Sequence, residues 1–130
     1  MKKNYKKWHP LKQRINNASN LQPFFHEREI WFCHFGENVG FEQDGVGNDF
    51  LRPVVIVRKF NNDIFWGVPL TKRKKETEFY FTFYFTERGQ NTAILSQIRL
   101  IDVRRLSYLV GTINESDFVK LIEKLKALLP

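Results

Sequence analysis

Residues 78–86 constrain the fold of this 130-residue chain more than any other stretch. Phe79, Phe81, Phe83 and Phe85 alternate there with Tyr80, Thr82 and Tyr84. Successive side chains of a strand point to opposite faces, so the pattern predicts a half-buried strand with a core-facing aromatic stripe. Such a stripe must be covered by further strands or by a helix. The rest of the chain offers both. Residues 29–35, 53–60, 64–71, 91–96, 98–101 and 108–113 are short apolar runs of strand-forming residues. Asn61-Asn62-Asp63 joins two of them, and residues that tolerate left-handed backbone fit a tight hairpin there. Pro53 begins one strand and Pro69 ends the next, where a missing N–H costs least. Residues 102–105 predict one helical turn. Asn114 then stands at a helix N-cap with Asp117 three residues on, followed by Phe118, Leu121, Ile122, Leu125, Leu128 and Leu129 at helical spacing. The expectation is a mainly β (α+β) domain. Five to seven antiparallel strands form a small barrel or curled sheet, closed by an amphipathic helix over residues 115–129.

Composition excludes several function classes. A single cysteine, Cys33, allows no intrachain disulfide and no multi-cysteine zinc site. His9, His26 and His34 lack ligand spacing, and Cys33 and His34, adjacent in a strand, face opposite ways. Gly45 and Gly47 lack the strand–turn–helix setting of a dinucleotide site. No apolar run is long enough to span a bilayer, and no apolar segment follows the basic N-terminus as a secretory signal would require. These readings predict a cytoplasmic protein.

The net charge is +7, and its distribution matters more than its size. Residues 1–20 hold six basic side chains and no acid, whereas the remaining 110 hold 15 basic and 14 acidic ones. A basic arm on a nearly neutral body suits a polyanion, because each cation near a phosphate releases counterions. A second cluster, Lys72-Arg73-Lys74-Lys75, follows the strand at 64–71 and is a candidate for steering phosphates. Polar residues also stand at the ends of apolar strands: Glu42 and Gln43 in the long 36–51 loop, Arg52, Thr71, and Ser96-Gln97. Each alone has an ordinary structural explanation.

Together, and in this order, these residues resemble a known family. Arg52-Pro53-Val54-Val55, Val68-Pro69-Leu70-Thr71 and Leu95-Ser96-Gln97-Ile98-Arg99-Leu100-Ile101-Asp102 are similar to the signatures of the MazF/PemK toxins. Glu29-Ile30-Trp31-Phe32 resembles that family's opening strand and Gly40-Phe41-Glu42-Gln43 its loop motif. The resemblance implies an SH3-like, CcdB-type barrel over residues 28–130 with a basic extension at 1–27. It implies a homodimeric endoribonuclease (an mRNA interferase) that cuts single-stranded RNA without metal or other cofactor and is neutralised by an acidic antitoxin. Carried over by motif, Arg52, Thr71 and Glu42 are the expected catalytic residues. Gln43, Gln97, Arg99 and the Lys72, Arg73, Lys74 and Lys75 cluster are the expected RNA-binding ones. A CcdB-type gyrase inhibitor and a plain RNA-binding module on the same fold remain open alternatives at this point.

Overall fold

The computed structural model describes residues 22–35 and 51–130. Seven strands, β1 (Glu29–His34), β2 (Leu51–Lys59), β3 (Ile64–Thr71), β4 (Tyr80–Phe85), β5 (Gly89–Ile94), β6 (Arg99–Asp102) and β7 (Leu106–Thr112), precede one helix, α1 (Glu115–Lys126). They form one curled sheet in the order β4-β5-β3-β2-β1-β7, with β6 added alongside β3, and every pairing is antiparallel. The sheet is barrel-like without closing: β4 and β7 end the strand order, and β6 is paired only with β3 among the described residues. This is the expected architecture.

β3 is the hinge of the sheet. Its first half pairs with β6, from Ile64 to Gly67, and its end pairs with β5 at Leu70 and Thr71. Pro69 lies between the two partners and is in register with Val54 of β2 on the other side. The proline therefore marks a change of partner inside the strand and not, as expected, the strand's end. The 61–63 turn also differs from expectation. Among the described residues only Arg28 and Gly89 have positive φ. The hairpin is closed instead by the Asn61 side chain, whose Oδ1 accepts from the Asp63 and Ile64 N–H groups at 2.7 and 3.0 Å.

Two cores lie on opposite faces of β1–β3. The first holds Ile30, Val55, Val57, Val68, Leu70, Phe83, Phe85 and Leu121, with Phe81, Phe118, Ile122 and Leu125 packed against it. Three phenylalanines of the β4 stripe thus turn under α1, while Phe79, one residue before the strand, is 46% exposed. α1 begins as expected: Asn114 Oδ1 accepts from the Asp117 N–H at 2.8 Å. It stops three residues early, at Lys126, because the Leu128 and Leu129 N–H groups bond only three residues back. The second core holds Phe25, Trp31, Cys33, Val54, Ile56, Phe65, Ile101 and Val103. Gly67 lets its walls meet, since a Cβ there would lie 2.4 Å from Val54 Cγ1 and 2.8 Å from Ile101 Cδ1.

Candidate active site

The second core opens at one end of β2 and β3. Val54 faces Pro69 across the two strands, and two residues outward from that pair stand Arg52 and Thr71. Alternation puts both on the face of Val54 and Gly67, the face of the second core. Arg52 is only 5% exposed, and its Nη2 donates to the Leu70 carbonyl, immediately before Thr71, at 3.3 Å. A guanidinium removed from water must be hydrogen-bonded to be tolerated, and those bonds also fix its direction. Thr71 Oγ1 accepts from the Arg73 N–H at 3.3 Å, which leaves the hydroxyl hydrogen available to donate. Two expected catalytic residues, 19 positions apart in the chain, therefore share one strand end and one face.

β6 and β1 extend this face. Arg99 pairs with Gly67, and its guanidinium lies 4.7 Å from the centre of the Phe35 ring, which packs on the second core. Arg105, which the sequence did not single out, donates from Nη1 to the His34 carbonyl at 3.3 Å. Burial, and next the nearby Arg99 guanidinium, hold Arg105 below the usual arginine range. Its neighbour Asp102 caps the turn at Val103–Arg105 and takes a hydrogen bond from Arg104 Nε at 2.9 Å, which lowers the carboxyl's pKa. Arg99 and Arg105 thus both meet the end of β1, beside Arg52, which pairs with Cys33. No sequence motif announces Arg105, because its role arises only when β7 folds against β1.

The remaining expected residues separate. Gln97 is part-buried and ends a 3-10 turn, Leu95–Gln97, whose first N–H bonds the Phe79 carbonyl at 2.9 Å. The basic cluster does not act as a block. Lys72 reaches the Arg88 carbonyl, and the Arg73 backbone ties back to Thr71. Lys74 and Lys75 line an open cleft with Tyr80, Phe81 and the Lys124 of α1, and neither Arg52 nor Thr71 borders it. Glu42 and Gln43 lie outside the described residues. Cys33 is fully buried, and burial pushes its thiol pKa far up, so it is a packing residue and no nucleophile. Among the described residues, no group of three or more His, Cys, Asp or Glu side chains converges as a metal site would require.

Residues 26–129 match the family model of the PemK-like, MazF-like toxins of type II toxin–antitoxin systems. The chain belongs to this family. The fold agrees with solved structures at low sequence identity. MazF from Deinococcus radiodurans (Form-I) superposes with a TM-score of 0.66 at 18% identity, covering 82% of this chain and 96% of that one. An endoribonuclease from a mycobacterial species, solved in complex with its cognate antitoxin, gives 0.62 at 15%, covering 82% and 98%. The Mycobacterium tuberculosis toxin MazF-mt6 gives 0.60 at 15%, covering 77% and 94%. No curated protein gives a sequence match. No described helix is long and apolar enough to cross a membrane.

Proposed function

We propose that this MazF/PemK-type toxin is a sequence-selective endoribonuclease that cleaves single-stranded RNA at the Arg52–Thr71 strand end. The observation that carries the reading is the pairing of a buried, carbonyl-anchored guanidinium with a threonine hydroxyl on one face. In this reaction the ribose 2′-oxygen attacks the adjacent phosphorus and gives up its proton to a base, the role proposed for Glu42. The P–O5′ bond breaks, the 5′-oxygen takes a proton from water and leaves as a hydroxyl, and a 2′,3′-cyclic phosphate remains. Negative charge builds on the non-bridging oxygens along the way. Arg52 supplies a fixed cation for that charge, held in direction by its bond to the Leu70 carbonyl. Thr71 donates to a second phosphoryl oxygen and holds the linkage in line. Arg99 draws the flanking phosphates, Gln97, set apart from that strand end, is proposed to read a base edge farther along the strand, and the reaction as proposed uses no metal.

The same basic face suits an acidic antitoxin, and the mycobacterial neighbour was solved with its cognate antitoxin. We extend that mode of control to this chain, together with the homodimer and the cytoplasmic location. The 1–27 segment, whose Phe25 is already packed in the second core, is proposed to add RNA affinity through the six cations of residues 1–20.

The test is incubation of the full chain with single-stranded and duplex RNA in EDTA, followed by end-group analysis. Cleavage of the single strand to cyclic-phosphate and 5′-hydroxyl ends is expected. Arg52→Ala should lower the rate by about 10²–10³-fold, the usual cost of removing one donor to a developing oxyanion. Binding without cleavage by the unaltered chain would replace the nuclease reading with that of an RNA-binding module.

A further inference from the structure

Along β2 alternation sends Arg52 to the active-site face and Pro53 to the opposite one, and just past the end of β3 Lys72 reaches the Arg88 carbonyl. On that opposite face Pro53 pairs with Phe32 of β1, and Phe32 pairs in turn with Tyr108 of β7. The Phe32 and Tyr108 rings stack, with centres 5.0 Å apart and planes 28° from parallel. The Arg88 guanidinium, from the β4–β5 turn, lies 5.2 Å from the Phe32 ring centre. Arg88 is held from two sides: its Nε donates to Asn91 Oδ1 at 3.3 Å, and its carbonyl accepts from the Lys72 ammonium. The nearby Glu87 carboxylate is packed against Gly111.

We propose that this Arg88–Phe32–Tyr108 stack is a second RNA contact, at which an unpaired nucleobase stacks on Tyr108 while Lys72 and Arg88 attract the adjoining phosphates. The proposal rests on the ribonuclease reading and adds a site on the other side of the strand ends. Tyr108 is 50% exposed although its ring is aligned by Phe32, so it presents a rigid aromatic surface. An aromatic surface flanked by two cations matches a single strand, which offers a π-face and a negative charge at every nucleotide. Duplex RNA keeps its bases stacked inside and fits poorly. A strand bound at Arg52 and Thr71 need only pass over the ends of β2 and β3 to reach Lys72, the residue next to Thr71.

The experiment measures binding of the full chain to a single-stranded 2′-O-methyl RNA, which lacks the attacking hydroxyl, and to the same backbone with abasic positions. Tyr108→Ala is expected to weaken binding to the base-bearing strand by about 5–150-fold, the range for loss of one stacked base. It should leave binding to the abasic strand and the salt dependence unchanged, and Tyr108→Phe should restore affinity. Lys72→Ala should instead reduce the slope of log K against log salt by about one. Equal binding by Tyr108→Ala and the unaltered chain, in a protein that still cleaves RNA, would overturn the stacking site alone. So would equal losses on both strands, or a change of oligomeric state in Tyr108→Ala, which would mark the patch as an interface between copies. Failure of the unaltered chain to bind or cleave any single strand would remove the ribonuclease reading as well.

Discussion

The two cores share the strands β1, β2 and β3 but finish differently. The helix-side core is closed: aliphatic and phenylalanine side chains meet Leu121 of α1, and every buried member is apolar. The site-side core runs from Phe65 and Val54 directly into Arg52, Thr71 and Arg99. Burial of apolar area supplies stability at about 25 cal/mol per Å² wherever it occurs. A buried guanidinium beside such a core contributes little to that and is costly to leave unsatisfied. Both faces support folding, and the contrast is that only the site-side core runs into a buried charge at its end.

If that contrast is correct, substitutions on the two faces should separate stability from activity. Leu121→Ala, fully buried under α1, should cost about 2–5 kcal/mol in denaturant unfolding, with the active-site groups left in place in the folded fraction. Gly67→Ala tests the site-side core. Its new Cβ must displace Val54 and Ile101, so about 1–3 kcal/mol of destabilisation is expected. Because Gly67 also pairs with Arg99, cleavage by the folded fraction should fall too. Unchanged activity per folded molecule would show that the site tolerates movement of its floor.

The smallest effect concerns acid. Asp102, lowered in pKa chiefly by its hydrogen bond from Arg104, keeps its proton off more readily when folded than when unfolded. A depressed carboxylate contributes stability that is full above its unfolded pKa, near 4, and is lost as pH falls through the lower folded value. Thermal midpoints measured from pH 6 downward should therefore fall more steeply below about pH 4 in the unaltered chain than in Arg104→Ala. Parallel curves would mean the exposed pair contributes nothing measurable.

The same contrast governs what the sequence made legible. Elements with a period could be read directly. The β4 alternation, the helix expected over 115–129 and found over 115–126, and its Asn114 cap depend on residues close together in the chain. The hairpin at 61–63 was placed correctly, but its mechanism was not, because an Asn61 side chain replaced the left-handed backbone expected of such residues. The position of Pro69 inside β3 depends on the strand's change of partner, which no local pattern shows. Arg52 and Thr71 were singled out through motif order, since no local pattern marks a buried arginine at a strand start. Arg105, Phe35 and Arg88 were missed because each acquires its meaning from a neighbour dozens of residues away. Periodic packing is written locally, whereas the charged end of a sheet is assembled from afar.

The central claim is that Arg52 and Thr71 act on one phosphate. A double-mutant cycle on single-turnover RNA cleavage tests it, with Arg52→Ala, Thr71→Val and both together. Two groups holding the same transition-state charge should give a combined loss clearly smaller than the product of the single losses, a coupling of about 0.5–3 kcal/mol. Independent, multiplicative losses would place the two residues at separate tasks and contradict the account.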